Sequence, residues 1–517
     1  MKFNFKNSLV SLTREIRNHP ATYFLLFLIL FLALFVRVYR TEGLLRFYFD
    51  QGRDALVIWR LLHEGKFFLI GPVTGLDGIF LGPFYYYLIA PFYLLSGGSP
   101  VLPVIFLGFT ATLAIFMLYY LGRKFHSRTS GIFAATIGAF SYFIVLAGRW
   151  LANPTSLLLT SLLLLWSMWE IANKGDKRWW IAIALLIGLS LQLEAASAVF
   201  FLPMILVFAV WQRKRLPGKK ILFISAGVFF LTLLPQIAFN FRHENILFNN
   251  FKRVFLEEKS FSLSFGEVFV ERTQFFWSVF QSKINPGWRV YATIFFLLSG
   301  AVIFVSRKKL SSNLTLPLLL LFIGTPILGI LAFQGNFGNI YDYYMTGVYL
   351  PFILLFSIGL GELWKTKSGK FVVSIFFVFF FMENGTLVKN YLTATVETRP
   401  ITLEDQLGAI DWVFEDAEKQ VCPSGECPRH FNVDVYVPPV IPYAYDYLFL
   451  WQGTKRCGEN LCGMRLGEQV PLLYTLYEVD PPHPERLDVW LDRQKGIGKV
   501  EKETNFGGVT VQRRERL

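Results

Sequence analysis

The residues best placed for chemistry come early, in the run Phe47-Tyr48-Phe49-Asp50-Gln51-Gly52-Arg53-Asp54. This run follows a long apolar stretch, and a carboxylate kept at lipid-headgroup depth is costly unless it has a function. A second run, Gly82-Pro83-Phe84-Tyr85-Tyr86-Tyr87, follows about thirty residues on. Together they suggest an enzyme working on a lipid-linked substrate at the outer membrane surface. Each residue also has a plain structural reading. Asp50 could cap the helix that begins near Gly52. Asp54, one turn further on, either joins Asp50 around a divalent cation or pairs with Arg53 or a neighbouring arginine. Asp77, in Thr74-Gly75-Leu76-Asp77-Gly78, is a natural turn residue. Tyr85 and Tyr86 could form an interfacial aromatic belt. Arg149 and Arg242 follow apolar runs and could be snorkelling anchors. Glu194, beside Gln192 at the end of another run, is a solvated loop charge or an acceptor contact.

The elements that must position these residues are membrane helices. With 54% hydrophobic residues, 55 Phe and a mean hydropathy of +0.44, the chain is too apolar for a soluble globule. Apolar runs predict about eleven spans, at 22–38, 101–121, 129–147, 154–172, 179–193, 196–211, 221–239, 289–305, 314–333, 345–360 and 371–388. No small-residue cleavage site follows the first run, so a cleaved signal peptide is not expected. Basic clusters occur at Lys2 to Arg17, Arg123 to Arg128, Lys174 to Arg178, Arg213 to Lys220, Arg307 to Lys309 and Lys365 to Lys370. With these spans every cluster falls on one side, which the positive-inside rule makes cytoplasmic. The N-terminus is then inside. The segments 39–100, 148–153, 240–288 and 334–344 lie outside, with everything after about residue 390. The net charge of +13 is therefore mostly a topology signal. Residues 391–517 carry 14 Lys+Arg against 20 Asp+Glu, which argues against a nucleic-acid groove.

Residues 83–95 are short for a span and contain Pro91, so they predict a helix lying in the interface. Residues 53–64 predict a companion helix, with Ala55, Ile58, Trp59 and Leu62 on one stripe. After residue 400 the Phe-rich runs stop. An amphipathic helix over 402–419 and strands at Phe431 to Val437, Tyr447 to Trp451, Leu472 to Val479 and Val509 to Gln512 predict a small α+β domain. The fold class is thus a mainly α, polytopic bundle over 1–390, with two interfacial helices in its first external loop and an extracytoplasmic α+β domain over 391–517. All four cysteines lie in that domain, as Cys422-x4-Cys427 and Cys457-x4-Cys462. Zinc would want nearby histidines; disulfides are the expected use outside the cytoplasm, with the connectivity open.

One N-terminal span, a long external loop with an early Asp, a Pro-Phe-Tyr-Tyr-Tyr run and many later spans resemble the GT-C glycosyltransferases. Within that fold the chain is most similar to the protein O-mannosyltransferase and aminoarabinose-transferase type, over roughly residues 20–390. That pattern has an Asp-Glu pair opening an interfacial helix and then a His-Pro-Pro-x-Tyr-Tyr-like run. Here Asp50 matches the Asp, Gln51 replaces the Glu, and Gly82-Pro83-Phe84-Tyr85-Tyr86 stands without the His. The resemblance implies a polyprenyl-phosphate sugar donor, a hydroxyl-bearing acceptor (protein, lipid or glycan) and inversion in one displacement. Phosphate leaves readily, so a single carboxylate suffices as base, and Asp50 takes that role. Cations then stabilise the departing phosphate. Arg242 is the first choice, ahead of Arg149, His243, Lys252, Arg253 and Arg272. Tyr85 and Tyr86 would line the path of the sugar and headgroup. An aromatic-rich loop that meets the donor in similar enzymes corresponds to Asp342-Tyr343-Tyr344. Other functions stay open. A glycan polymerase or ligase would also use a lipid-linked sugar and would place its critical residues in loops such as 240–288. A flippase or other transporter would show internal repeats and mid-membrane charges. No P-loop or strand-linked Gly-x-Gly-x-x-Gly run is found for a soluble nucleotide sugar.

Overall fold

The computed structural model describes residues 14–75, 78–258, 260, 264–312, 314–335, 338–420 and 430–517. The chain divides into two compact units. The first takes residues 1–39, 68–88 and 104–389; the second takes 40–67, 89–103 and 390–517. Residues 390–517 thus fall in one unit together with much of the segment 39–100.

The first unit is helical, and a helix gives each backbone N–H and C=O in lipid a partner within its own segment. Among the described residues seven helices are long and apolar enough to cross a membrane: Pro20–Val38, Val101–Phe125, Asn153–Lys174, Lys219–Arg242, Thr315–Ala332, Asp342–Leu363 and Lys367–Leu392. The expected span 129–147 is instead two helices, Arg128–Phe140 and Tyr142–Arg149, bent by 65° at Ser141. The bend leaves helix-end carbonyls without amide partners. Arg37, fully buried in the first span, donates to the Gly138 and Ala139 carbonyls at 3.1 and 3.2 Å and to Ala33 of its own helix at 2.9 Å. Three further expected spans form shorter apolar helices, Trp179–Leu193, Ala195–Trp211 and Arg289–Val305, and Phe84–Leu95 is helical around Pro91. Four of the basic clusters meet at one end of this unit. Glu15 accepts ion pairs from Arg123 and Arg128, and Glu362 pairs with His126, Lys365 and Lys309.

In the second unit, helix Phe49–Glu64 begins where Gln51 Oε1 accepts the Tyr48 amide at 3.1 Å and ends at Gly65, whose φ of 64° suits a residue without Cβ. It packs on helix Tyr443–Cys457. At Gly52 the two backbones meet: a Cβ there would overlap the Tyr443 carbonyl and the Ala444 amide. The expected strand Tyr447 to Trp451 is therefore a helix. Its aromatic residues favour strands in general, but this segment is buried on two faces. Tyr447 meets the rings of Phe47 and Trp59, and Phe449 meets Phe414. A helix buried on two faces loses the amphipathic period that would reveal it.

The strands β1 (Phe431–Tyr436), β2 (Leu472–Glu478), β3 (Gly498–Phe506) and β4 (Val509–Arg516) form one sheet in the order β1-β2-β4-β3. β1 and β2 are parallel, which requires a crossover, and helix Tyr443–Cys457 lies in that connection. β3 and β4 form a hairpin whose Gly507-Gly508 turn takes positive φ at both residues. The expected helix over 402–419 is present as Leu403–Glu418, opened by Thr402 and Asp405. Helix Pro484–Ile497 and strand β3 were not anticipated. β3 is mostly exposed and carries four charged residues, and so lacks an apolar alternation.

Candidate active site

Asp50 stands in the first turn of helix Phe49–Glu64, where a carboxylate is favoured by the helix dipole. Its side chain is 49% exposed. Arg53, one turn on, bridges two carboxylates: Nη1 reaches Asp50 Oδ1 at 2.8 Å, while Nη2 and Nε reach Asp54 Oδ1 at 2.8 and 3.0 Å. Asp54 is buried, so of the two acids Asp50 is the one open to a substrate. Both carboxylates already hold one guanidinium, and among the described residues no group of three or more His, Cys, Asp or Glu is arranged to bind a metal.

The first unit gathers a second set. Residues 71–74 pair with residues 79–81, with Gly71 N to Leu81 O at 2.7 Å and Thr74 N to Ile79 O at 3.1 Å. Asp77 lies outside the described residues. The Gly82-Pro83-Phe84 run has a direct steric reason. A Cβ at Gly82 would collide with the Gln192 side chain, whose Oε1 accepts the Phe84 amide at 3.1 Å and whose amide donates to Thr232 O at 2.5 Å. Tyr85 and Tyr86 are buried rather than lining an open path; of the three tyrosines only Tyr87 is exposed, bonding Phe68 through its hydroxyl. Glu194, expected as a solvated loop charge or an acceptor contact, is buried too. It ends helix Trp179–Leu193 and accepts from the amides of Ala196 and Ser197 and from the Ser197 hydroxyl at 2.6–2.8 Å. It lies within electrostatic reach of Tyr344 and Tyr349.

Asp342 is the centre of this set. It accepts from Lys283 Nζ at 2.7 and 3.1 Å and from the Tyr349 hydroxyl. Lys283 is almost wholly enclosed, its ammonium over the rings of Tyr349 (4.4 Å) and Phe143 (5.0 Å). Burial pulls that ammonium below the usual lysine range, with Asp342 pulling the other way. Sequence reasoning missed Lys283: in Ser282-Lys283-Ile284-Asn285 nothing marks it, and its partner is 59 residues away. Above this ion pair Tyr341, Tyr343 and Tyr344 form an aromatic cluster, with Tyr341 and Tyr343 stacked at 5.6 Å and Trp150 edge-on to Tyr343 at 5.8 Å. Gly75 lies against it, since a Cβ there would come within 2.7 Å of the Tyr344 hydroxyl.

The expected phosphate cations fall into two kinds. Arg149 is buried and donates to the Val36 and Tyr39 carbonyls at 2.8 and 2.9 Å, closing the end of the first span. Arg272 is also buried and donates to Gly338 O at 2.8 Å. Arg242 and His243 are exposed at the end of helix Lys219–Arg242, with His243 stacked on Phe239 at 4.0 Å. Lys252 pairs with Glu257 at 2.6 Å, and Arg253 follows in the next turn. Cys457 and Cys462 form a disulfide; Cys422 and Cys427 lie outside the described residues.

Comparison with known proteins bears on the fold. Residues 81–239 match the family model of the dolichyl-phosphate-mannose-protein mannosyltransferases. No curated protein matches the chain significantly in sequence. Among solved structures, ArnT from Cupriavidus metallidurans in the apo state superposes with a TM-score of 0.56 at 11% identity, covering 96% of this chain and 98% of ArnT. The same protein bound to undecaprenyl phosphate gives 0.54 at 11% identity, with the same coverage of both chains. The Archaeoglobus fulgidus oligosaccharyltransferase in complex with zinc and sulfate gives 0.54 at 14% identity, covering 92% of this chain and 71% of that one. This multi-pass bundle thus shares its fold with ArnT and with the archaeal oligosaccharyltransferase, and residues 81–239 match the mannosyltransferase family model.

Proposed function

We propose that this protein transfers a sugar from a polyprenyl-phosphate donor to a hydroxyl acceptor on the outer side of the cytoplasmic membrane, with inversion. The observation that carries the reading is Asp50: an accessible carboxylate opening a helix of the first long loop, in a chain whose fold is shared with a protein seen bound to undecaprenyl phosphate. The acceptor oxygen attacks the anomeric carbon as its proton passes to Asp50. The bond from that carbon to the phosphate oxygen breaks, and the lipid phosphate leaves with the electron pair. Arg53 orients Asp50, and the Asp54 carboxylate fixes Arg53 in turn. Arg242, exposed at a span end, is the proposed contact for the departing phosphate. The Tyr341–Tyr344 cluster, held from below by Lys283 and Asp342, offers ring faces to the donor sugar. By the positive-inside rule the basic clusters at one end of the first unit support a cytoplasmic placement of that end and of the N-terminus, with the C-terminal domain proposed to lie outside.

The test uses purified full-length protein and a panel of undecaprenyl-phosphate-linked sugars, reading transfer and sugar release by mass spectrometry. At least one donor should turn over. Asp50→Asn should fold normally and lose turnover, whereas full activity in that variant would remove the base.

A further inference from the structure

The second unit holds a cavity of about 230 Å³ between helix Phe49–Glu64, the 93–98 segment and helix Tyr443–Cys457. Its walls are Trp59, Leu62, Tyr93, Leu94, Tyr447 and Trp451, with His63 and Lys455 at the rim. Three polar atoms of these aromatic groups are already engaged. Trp451 Nε1 donates to Gly97 O at 2.7 Å, the Tyr447 hydroxyl donates to Gly98 O, and His63 Nδ1 lies 3.1 Å from Trp59 O, its ring stacked on the indole at 3.7 Å. Ring faces and aliphatic carbons therefore remain to meet a ligand. The lining is mainly apolar, which suits a sugar poorly, and the volume lies below the roughly 300–1,000 Å³ of sites that enclose a whole small molecule. A segment of hydrocarbon chain fits both facts.

Two further observations say where that chain comes from. Gly97 and Gly98 precede by only a few residues the membrane-length helix that starts at Val101, so by connectivity alone the cavity's edge lies at the membrane surface. Leu94 and Leu95 beside it are 64% and 74% exposed, as lipid-facing residues are. The charge is one-sided as well: the ionisable rim groups are His63 and Lys455, no acid lines the cavity, and Lys455 Nζ lies over the Trp451 ring at 6.0 Å. We propose that this cavity is a binding site for an anionic membrane phospholipid, with part of one acyl chain among Trp59, Tyr447 and Trp451 and the headgroup phosphate at Lys455. The site lies within the second unit and does not depend on the catalytic reading.

Full-length protein in lipid nanodiscs of phosphatidylcholine and phosphatidylglycerol would be irradiated with either lipid carrying a diazirine in its acyl chain, and the labelled peptides mapped. The phosphatidylglycerol probe should label peptides containing Trp59–Leu62 and Trp451–Lys455, several-fold more than the phosphatidylcholine probe. Unlabelled phosphatidylglycerol should compete this label away. Leu62→Trp and Thr454→Trp, which fill the cavity, should each lose the label, and Lys455→Glu should erase the preference for the anionic lipid. Absence of label at these peptides, equal labelling by both lipids, or label that survives both filling variants would overturn the proposal. If neither filling variant folds, competition on the unaltered protein decides it.

Discussion

At the residue scale, helix Phe49–Glu64 carries two acids of different exposure, Asp50 in its first turn and Asp54 one turn on. Arg53 touches both, but Asp54 is enclosed and Asp50 is half open, so the accessible one is assigned to the proton and the enclosed one to positioning. Asp50→Asn should lower turnover by about 10²–10⁴-fold, the usual size of a general-base contribution, with an unchanged melting temperature. Arg53→Ala should behave differently, because it strips a charged hydrogen bond from the buried Asp54. A loss of roughly 1.5–3 kcal/mol is expected, read as a lower thermal midpoint in detergent, together with reduced turnover. Equal melting of Arg53→Ala and the unaltered protein would show that Asp54 does not need this guanidinium.

At the element scale, close approach decides what two of the loop's glycines are for. Gly52 lets helix Phe49–Glu64 touch helix Tyr443–Cys457 backbone to backbone. Gly52→Ala should cost at least the roughly 1–3 kcal/mol typical of overpacking, seen as a lower thermal midpoint, since the overlap is with main-chain atoms that cannot rotate away. Gly82 serves the same end against Gln192, and this accounts for a run that otherwise reads only as aromatic. The ion pair of Lys283 with Asp342 fixes the base of the Tyr341–Tyr344 loop. Asp342→Ala should destabilise by less than the roughly 3–5 kcal/mol of a fully enclosed pair, because the Asp342 side chain is 48% exposed. It should also raise KM for the donor more than it lowers kcat, if those rings meet the sugar. A KM that does not move would take the loop out of donor binding.

At the scale of the whole molecule, topology and acid response are the open measurements. A cysteine placed at Asp50 should react with a membrane-impermeant maleimide on intact cells, and one placed at Lys308 only after lysis. The reverse pattern would invert the proposed orientation. In the C-terminal sheet, burial alone would raise the Asp416 carboxyl. Hydrogen bonds from Tyr474, Lys502 and Arg513, with the charge of Arg513, outweigh burial and hold it below its ordinary range. The unfolded state then binds more protons than the folded one through that window. The stabilisation is full above the ordinary carboxyl range and is lost as pH falls through the lowered value. Glu478 has the opposite sign. Burial raises it against hydrogen bonds from Tyr445 and Gln406, so its contribution falls as pH rises past the ordinary glutamate range. Asp416→Asn should flatten the acid limb of a melting-temperature profile, and Glu478→Gln should lift the neutral side.

The sequence by itself determined the membrane bundle, its seven membrane-length helices, a helix over 53–64, the helix at Leu403–Glu418 and three of the four strands. These follow from run length, one-sided periodicity and charge placement, which are local and need no partner to be visible. Tertiary structure decided the rest. It turned Tyr447–Trp451 into a helix, bent the third expected span at Ser141 over Arg37, buried Glu194, Tyr85 and Arg149, and joined Lys283 to Asp342. Each of these depends on residues tens to hundreds of positions apart. A side chain's burial, and the carbonyl or carboxylate waiting for it, exist only once distant helices have packed.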